Sequence, residues 1–181
     1  YCGFAGRNLP VILIIGGSSG SKVVNQAVRS ILPSLLDRFS VIHLCGKGNL
    51  DESLNGTDGY AQFEYANKEL TDMFALADFV ISRAGANSIC ELLALRKPNI
   101  LIPLSAAASR GDQILNAKSF EAQGYSYVIE EENLNDETLK KAIDELVAKK
   151  DTYIEAMKKS DQMRSIDTIL SLIEEVSKSA K

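Results

Sequence analysis

The chain has 181 residues, with 20 Lys or Arg, 24 Asp or Glu and one His, and its formal net charge is -4. Domains usually hold about 100 to 200 residues, so the length predicts a single domain. The basic residues are scattered along the chain, which argues against nucleic acid as a partner. The apolar runs are far shorter than the ~18 residues of a membrane span, and no signal-peptide pattern precedes them, so we expect a soluble protein.

The chain has only three cysteines and one histidine, so few residues could bind a metal or react as a thiol. The cysteines are Cys2, Cys45 and Cys90. They lack the spacing of metal ligands, so we expect reduced thiols and neither a metal site nor a cofactor. His43 is the only histidine and lies in an apolar run. It is predicted to be a core or sheet-end residue.

The predicted elements alternate between short apolar runs and helical patterns. In chain order they are a strand over 11–15, a helix over 22–36, strands over 40–44 and 60–65, a helix over 69–77, a strand over 79–82, a helix over 88–95, a strand over 99–102, a helix over 112–123, a strand over 126–129 and helices from 136 onward. Strands that alternate with helices need crossover connections, and these predict a parallel sheet covered on both faces. The fold class is therefore predicted to be a doubly wound α/β domain.

Three segments differ from the core pattern, which covers residues 11–150. Residues 1–10 are predicted to be a linker remnant, because the chain does not begin with Met. The polar stretch 46–59 is predicted to be a mobile loop. The terminal helices, 151–181, carry an apolar stripe from Ile166 to Val176, which predicts a helix packed on the edge of the domain.

Parallel sheets bind ligands beyond the carboxyl ends of their strands, so the loops there are the candidate sites. The first, "GGSSGS" at 16–21, lies between a strand and a helix, where backbone N–H groups hold anions. The dinucleotide fingerprint lacks its first glycine, and the P-loop pattern lacks its second glycine and its magnesium-binding hydroxyl. A metal-free phosphate turn remains, with a purely structural tight turn as the alternative. Its predicted donors are Gly17, Ser18, Ser19, Gly20 and Ser21.

The second loop follows Ser82. Gly85 supplies a corner, and its small neighbours allow a ligand to approach the backbone. Ser88 and Glu91 match a capping box, in which Ser88 caps the helix and Glu91 bonds back to the cap N–H. The same carboxylate is placed to accept two hydrogen bonds from a ribose diol, so cap and ligand are both open interpretations. The candidate ligands here are Gly85, Ala86, Asn87, Ser88 and Glu91.

The third loop follows Ile102 and ends at a predicted helix start. Asp112, Gln113 and Asn116 form a polar patch whose side chains suit sugar hydroxyls. The alternative is an Asp112 N-cap followed by surface residues. One loop suited to phosphate, one to ribose and one to a sugar together predict a nucleotide-sugar site.

Three stretches also carry a resemblance to a known family: "GGSSGS" followed by Asn25 and Gln26, "ADFVISRAGANSICELLALRKPNILIPL", and "RGDQILNA". From about Val11 to about Asn133 the chain resembles the carboxyl-terminal domain of the MurG family, the N-acetylglucosaminyltransferases of bacterial peptidoglycan synthesis. The resemblance implies a Rossmann-like domain that forms the donor-binding half of a GT-B glycosyltransferase. The amino-terminal acceptor domain would be missing from this sequence.

The resemblance implies roles for residues at the nucleotide. Ser18 and the N–H groups of the glycine loop would face the diphosphate, and Ser88 would lie near it. Glu91 would bind the ribose hydroxyls. The uracil would be held by backbone around residues 65–67.

Further roles are implied at the sugar. Asp112 and Gln113 would face the N-acetylglucosamine, while Asn25 and Asn116 would lie close by or support the site. No catalytic residue is expected in this half, because the candidate base of the family belongs to the amino-terminal domain.

The reaction that the resemblance implies is an inverting, metal-independent transfer from UDP-N-acetylglucosamine to lipid I, which yields lipid II. The acceptor and the inner face of the cytoplasmic membrane would be partners of the full-length protein, and the fragment alone would be inactive. One alternative is a related GT-B donor subunit with another lipid acceptor. The other is a non-catalytic module that binds nucleotide sugars.

Overall fold

The computed structural model describes residues 2–4, 6–17, 19–108 and 110–160. The strands are β1 (Val11–Ile15), β2 (Ser40–Leu44), β3 (Tyr60–Phe63), β4 (Phe79–Ser82), β5 (Asn99–Leu101) and β6 (Tyr127–Val128). The α-helices are α1 (Lys22–Ser30), α2 (Leu32–Leu36), α3 (Glu69–Leu76), α4 (Ala86–Ala94), α5 (Asp112–Ala122), α6 (Asp136–Ala148) and α7 (Lys150–Lys158). Short 3-10 turns lie at Glu52–Leu54 and Glu131–Asn133. The predicted apolar stripe from Ile166 to Val176 lies outside the described residues.

The strands form one sheet in the order β3-β2-β1-β4-β5-β6. Every pairing between neighbours in it is parallel. The chain moves outward from β1 to β3 on one side and from β4 to β6 on the other, so the order reverses between β1 and β4. The predicted doubly wound parallel sheet is confirmed, and its switch point lies where β1 and β4 end.

Burial explains why these short runs form the centre of the sheet. All residues of β2, β4 and β5 are buried, as are the first four of β1. Strands with continuous apolar sequence are typical of a sheet covered on both faces. Helix α6 covers part of one face with a stripe at helical spacing, formed by Leu139, Ala142, Ile143 and Leu146.

The predicted helix over 22–36 is wrong in one respect, because two helices occupy this range. Helix α1 ends at Ser30, and α2 begins at Leu32 with a proline in its first turn, Pro33. A proline lacks the N–H that would continue the helical bonding, and its ring clashes with the preceding turn. Such a residue is tolerated at a helix start, so the chain restarts the helix there.

The stretch 46–59 was predicted to be a mobile loop, but hydrogen bonds tether it to β3. The side-chain amide of Gln62 donates to the Asp51 carbonyl at 2.6 Å and to Asn55 Oδ1 at 3.0 Å. Its oxygen accepts from the Asp51 N–H at 3.0 Å. One residue of a neighbouring strand therefore supplies both donors and an acceptor to a segment whose local sequence is polar throughout.

Two long-range contacts hold the ends of the described core. Arg7 pairs with Asp58 at 2.6 Å and donates to the Leu36 carbonyl at 2.5 Å, which fixes the segment before β1. At the other end, Lys150 of α7 lies 3.3 Å from a carboxylate oxygen of Asp78. Both contacts lie near the amino ends of the strands, so the opposite edge of the sheet remains available for a ligand.

Candidate functional site

A cleft of about 530 Å³ lies at the carboxyl ends of β1 and β4, where the strand order reverses. Crevices at such switch points are the usual ligand sites of open parallel sheets. Its lining comes from the three predicted loops. The lining residues are Gly16, Gly17, Ser19, Gly20, Arg83, Gly85, Ala86, Asn87, Ser88, Leu104 and Gln113.

A smaller pocket of about 180 Å³, here called the side pocket, adjoins this cleft. Gly17 and Ser88 line both spaces, so the two lie side by side at these residues. Its polar lining includes Glu64 and Glu91, and the exposed ring of Tyr65 lies at its wall. The remaining lining residues are Ile15, Leu44, Ala66, Leu70, Phe74, Ser82 and Leu92.

The glycine loop leaves β1 through a tight turn in which the Gly20 N–H donates to the Gly17 carbonyl at 3.0 Å. Gly17 and Gly20 have φ angles of 90° and 73°, a region that favours glycine. The loop ends at Ser21, the N-cap of α1, whose hydroxyl accepts from the Val24 N–H at 3.3 Å. The backbone therefore presents the N-terminus of α1 beside the cleft. Ser18 lies outside the described residues.

The glycine loop rests directly on the backbone that follows β2. A side chain on Gly20 would lie 2.7 Å from the Cα of Gly46 and would clash with the Cys45 carbonyl. Gly46 is equally restricted, because its own Cβ would lie 2.5 Å from the Gly20 nitrogen. Both positions need glycine because a side chain would clash with the neighbouring backbone and because their φ angles are positive. This supports the interpretation of a tight turn and leaves the interpretation of a phosphate-binding turn open.

Helix α4 begins earlier than predicted, and the capping box is wrong. Its N-cap is Gly85, which makes no side-chain cap hydrogen bond, and the first intrahelical bond runs from the Ile89 N–H to the Gly85 carbonyl at 3.0 Å. Ser88 is thus the third residue of the helix, and Glu91 lies in its second turn. The N–H groups of residues 86–88 precede that first bond, and at a helix N-terminus such groups carry partial positive charge.

Gln113 is the part of the third loop that lines the cleft. Its side-chain oxygen accepts from the Leu104 N–H at 3.2 Å. The N-cap of α5 is Gly111 in a left-handed conformation, so Asp112 is the first residue of the helix and not its cap. Asp112 is exposed and does not line the cleft. Asn116 donates to the Ala84 carbonyl at 3.0 Å and joins the second and third loops.

Arg83 begins the second loop, and its side chain forms hydrogen bonds with groups of the other two loops that line the cleft. Its guanidinium donates to the Ser21 hydroxyl at 2.7 Å and to the carbonyls of Ile102 and Pro103 at 3.1 and 3.2 Å. It also forms an ion pair with Glu131, and the Arg83 side chain is only 8% exposed. Sequence reasoning missed this residue, although its place at the start of the second loop marked it as a neighbour of the site.

Asn25 supports the site from the interior and does not line it. Its side chain donates to the Cys45 carbonyl at 2.9 Å, and its oxygen lies 3.0 Å from His43 Nε2. His43 Nδ1 lies 3.0 Å from the Tyr60 hydroxyl. Burial, together with the positive charge of Arg29, lowers the pKa of His43 to about 3. The prediction of a core histidine is confirmed, and the network fixes the strand end that carries Gly46.

The structure brings most of the predicted site residues to the cleft or the side pocket. Seven of the predicted residues line the cleft, namely Gly17, Gly20, Gly85, Ala86, Asn87, Ser88 and Gln113. Glu91 lines the side pocket. Asn25 and Asn116 are supporting residues by their hydrogen bonds. Ser19 lines the cleft, whereas Ser21 is buried and already bonded to Arg83. The lining residues absent from the predicted set are Gly16, Arg83 and Leu104.

The described part of the chain contains neither a candidate metal site nor a membrane-spanning helix. No group of three or more His, Cys, Asp or Glu residues there is arranged to hold a metal ion. No helix formed by those residues is long and apolar enough to span a bilayer.

A Rossmann-like parallel sheet with a glycine loop and a helix N-terminus at its switch point is the architecture of one half of a GT-B glycosyltransferase. The comparisons with known proteins agree. The Glycosyltransferase family 28 C-terminal domain matches residues 11–172, and the chain belongs to this family.

Two curated relatives share this sequence closely. One, from Lachnoclostridium phytofermentans, is 65% identical over 176 residues, which is 97% of this chain and 49% of the relative. The other, from Lachnospira eligens, is 59% identical over 177 residues, which is 98% of this chain and 50% of the relative. Both carry the name UDP-N-acetylglucosamine--N-acetylmuramyl-(pentapeptide) pyrophosphoryl-undecaprenol N-acetylglucosamine transferase. The chain thus spans about half the length of the curated relatives it matches.

The crystal structure of Acinetobacter baumannii MurG has a similar fold. It superimposes with a TM-score of 0.76 at 21% sequence identity, covering 93% of this chain and 51% of that one. The shared architecture is that of one half of a GT-B enzyme.

Proposed function

We propose that this chain is the donor-binding half of an inverting, metal-independent glycosyltransferase that moves N-acetylglucosamine from UDP-N-acetylglucosamine to lipid I and forms lipid II. The observation that carries the proposal is the order of groups along the two adjoining spaces. Glu91 lies in the side pocket, the glycine loop and the start of α4 border the middle, and Gln113 lies in the cleft. A nucleoside diphosphate sugar has the same order of parts.

The side pocket suits the nucleoside. Its lining is largely apolar, which fits a base, and it includes Tyr65 and Ala66, where the uracil is expected. Glu91 is the polar group available to the ribose, because its carboxylate accepts hydrogen bonds from two neighbouring hydroxyls. Glu91 does not cap α4, and its carboxylate makes no hydrogen bond with the residues that the structure describes, so binding would break none of these.

The cleft suits the diphosphate and the sugar. The N–H groups at the start of α4 and in the glycine loop supply donors for phosphate oxygens, and Ser88 adds a hydroxyl. Ser18 belongs to the same proposed set. Gln113 is the proposed ligand of the sugar hydroxyls, supported by Asn116 and Asn25. A contact between Asp112 and the sugar stays a prediction.

The proposed contribution of this half to catalysis is electrostatic. Transfer of the sugar breaks its bond to the β-phosphate and leaves negative charge on the departing UDP. Prearranged N–H donors and helix N-termini stabilise charge that develops in the transition state. The base that activates the acceptor hydroxyl would come from the acceptor half.

Binding of the acceptor and of the membrane is proposed to involve the part of the enzyme that lies outside this chain. The names of the curated relatives specify a pyrophosphoryl-undecaprenol acceptor, and the chain covers about half of those proteins. We therefore infer that lipid I binds the amino-terminal half, and that the complete protein is a peripheral protein of the cytoplasmic face of the bacterial membrane.

Calorimetry on the isolated chain tests the donor proposal. UDP-N-acetylglucosamine and UDP should bind weakly but measurably, and ADP should bind less well. No heat or ligand-observed NMR signal at millimolar UDP-N-acetylglucosamine would contradict the proposal.

A transfer assay tests the acceptor proposal. The isolated chain should give no lipid II from lipid I, and activity should appear when the chain is joined to an amino-terminal half from the Lachnoclostridium phytofermentans relative. Transfer to diacylglycerol in place of lipid I would favour a related glycosyltransferase. A joined protein that binds donor and transfers to neither acceptor would favour a non-catalytic module.

A further inference from the structure

The charges around the two spaces do not match those of a diphosphate ligand. Within the described residues, the lining of the cleft and side pocket carries one cation, Arg83, and two carboxylates, Glu64 and Glu91. Arg83 is already paired with Glu131. Backbone N–H groups supply only partial charge. A dianionic diphosphate therefore calls for a further cation at the rim of the site.

Lys47 lies in a turn built against the glycine loop. The turn is closed by a hydrogen bond from the Asn49 N–H to the Gly46 carbonyl at 3.2 Å. Its third residue, Gly48, has a φ of 72°, as type II turns require. Its first residue, Gly46, is the one in backbone contact with Gly20. Lys47 thus follows directly on the contact between the post-β2 turn and the proposed phosphate loop.

The turn is also fixed from the side pocket. Glu64, which lines that pocket, accepts from the Gly48 N–H at 2.7 Å. Its own carbonyl accepts from the Gly46 N–H at 2.9 Å. The same residue therefore holds the backbone on both sides of Lys47. A turn held against Gly20 on one side and Glu64 on the other keeps the lysine next to the glycine loop, just outside the lining of the two spaces.

The Lys47 side chain is uncommitted. It is exposed, and it makes no ion pair with any residue that the structure describes. Lysine carries a compact charge on a flexible stem, which suits a phosphate that arrives with a ligand. An exposed ammonium also keeps its hydration until the anion binds, so it costs the empty site little.

We propose that Lys47 is a diphosphate-binding residue of this site, recruited by the turn at 46–49 to neutralise the donor and the departing UDP. This inference rests on the proposed donor function and adds a residue to it. Lys22 is the rival cation, because it begins α1 directly after Ser21. Lys22 lacks the tether to the side pocket, and its charge lies at the positive end of a helix.

The experiment compares the affinities of UDP and uridine in the unsubstituted chain and in four variants, Lys47→Ala, Lys47→Arg, Lys22→Ala and Lys140→Ala. Lys47→Ala should weaken UDP binding about tenfold, since a hydrogen bond to a charged group is typically worth that factor. It should leave uridine binding within about twofold, because uridine lacks the phosphates. Lys47→Arg should restore most of the UDP affinity. Lys140→Ala, which removes an exposed charge on α6, should change neither affinity.

Each result has a defined meaning. An unchanged UDP affinity in Lys47→Ala would overturn the inference, and so would equal weakening of UDP and uridine, since that would indicate a structural role. A loss confined to Lys22→Ala would assign the phosphate contact to Lys22 instead. Absence of UDP binding in the unsubstituted chain would remove the proposed function itself, whereas normal UDP binding with no effect of Lys47→Ala would remove only this inference.

Discussion

Arg83 and Glu131 form a nearly buried ion pair that joins the loop after β4 to the 3-10 turn after β6, with side-chain exposures of 8% and 15%. The same guanidinium bonds the N-cap of α1 and the carbonyls after β5. One side chain therefore sets the relative positions of the three loops that line the cleft. The charge of Arg83 is used by groups of the protein itself, so we expect this residue to position the loops and the proposed phosphate contacts to come from other groups.

Replacing Arg83 should destabilise the fold strongly. Arg83→Gln leaves the Glu131 carboxylate without its partner, and breaking a buried pair from one side typically costs about 3–5 kcal/mol. Urea unfolding followed by circular dichroism measures this loss. Arg38→Gln is the matched control, because Arg38 pairs with Asp144 in the open, at exposures of 52% and 60%. Exposed pairs contribute about 0–1 kcal/mol. Equal costs for the two variants would contradict the positioning role.

His43 should stay neutral in the folded protein well below neutral pH. Its folded pKa of about 3 lies below the usual 6.5, mainly through burial and also through Arg29. Between these values only the unfolded chain takes up the proton, so this contribution to stability is complete above about pH 6.5 and is lost as the pH falls. Because His43 is the only histidine, its imidazole NMR signal is unambiguous. That signal should not titrate between pH 8 and 5.

The same shift predicts a stability difference. Between pH 7 and pH 5 the free energy of unfolding of the unsubstituted chain should fall by about 2 kcal/mol more than that of His43→Gln. The expected fall is about 1.4 kcal/mol for each pH unit below 6.5. Unfolding curves of both proteins at the two pH values measure it. An equal fall in the free energy of unfolding of the two proteins would show that His43 is not the cause of the pH dependence. An imidazole that titrates near 6.5 in the folded chain would contradict its burial.

Glu91 should matter for ligand binding and not for stability. It is exposed in the second turn of α4 and caps nothing, so Glu91→Ala should change the free energy of unfolding by no more than about 0.5 kcal/mol. The same variant should bind UDP about tenfold more weakly, and should lose the preference for UDP over 2′-deoxy-UDP. Glu121→Ala, on the exposed face of α5, is the control. A retained preference for the ribose diol would remove Glu91 from the site.

Local sequence predicted the sheet and most of the residues that line the cleft because these depend on short-range signals. Continuous apolar runs specified the buried strands, and glycines or small residues marked the loops at their ends. The capping box failed for a related reason. The pattern of Ser88 and Glu91 is local, but the start of α4 follows from where β4 ends and from the anchored Arg83. The N-cap is therefore the extended Gly85, three residues before the Ser88 cap that the pattern predicts.

The remaining differences come from contacts between distant residues. Asn25 follows the glycine loop in sequence, but its amide is used by Cys45 and His43 of a neighbouring strand. The stretch 46–59 is polar throughout, and side chains distant in sequence hold it in place, among them Gln62, Glu64 and Arg29. Neither arrangement leaves a periodic signal in the sequence. The break between α1 and α2, in contrast, was marked by Pro33 and could have been predicted.

The contact between Gly20 and Gly46 gives a final prediction, on stability. Gly46→Ala would place a Cβ 2.5 Å from the Gly20 nitrogen at a φ of 86°, so it combines a steric clash with backbone strain. Gly48→Ala is a close control, because its φ of 72° imposes similar strain with open space around the Cβ. Left-handed conformation costs an alanine about 1–2 kcal/mol, and crowding of a packed contact adds about 1–3 kcal/mol.

Gly46→Ala should therefore be less stable than Gly48→Ala by about 1–3 kcal/mol. Because its Cβ presses on the glycine loop, it should also weaken UDP binding, while Gly48→Ala should retain more of it. Chemical unfolding and calorimetry on the two variants measure both effects. Equal stabilities would mean that the two loops separate freely. If the two variants were equally stable but Gly46→Ala bound UDP more weakly, the glycine loop would have moved at no cost to the stability of the fold. Its position would then still determine how well the proposed phosphate site binds.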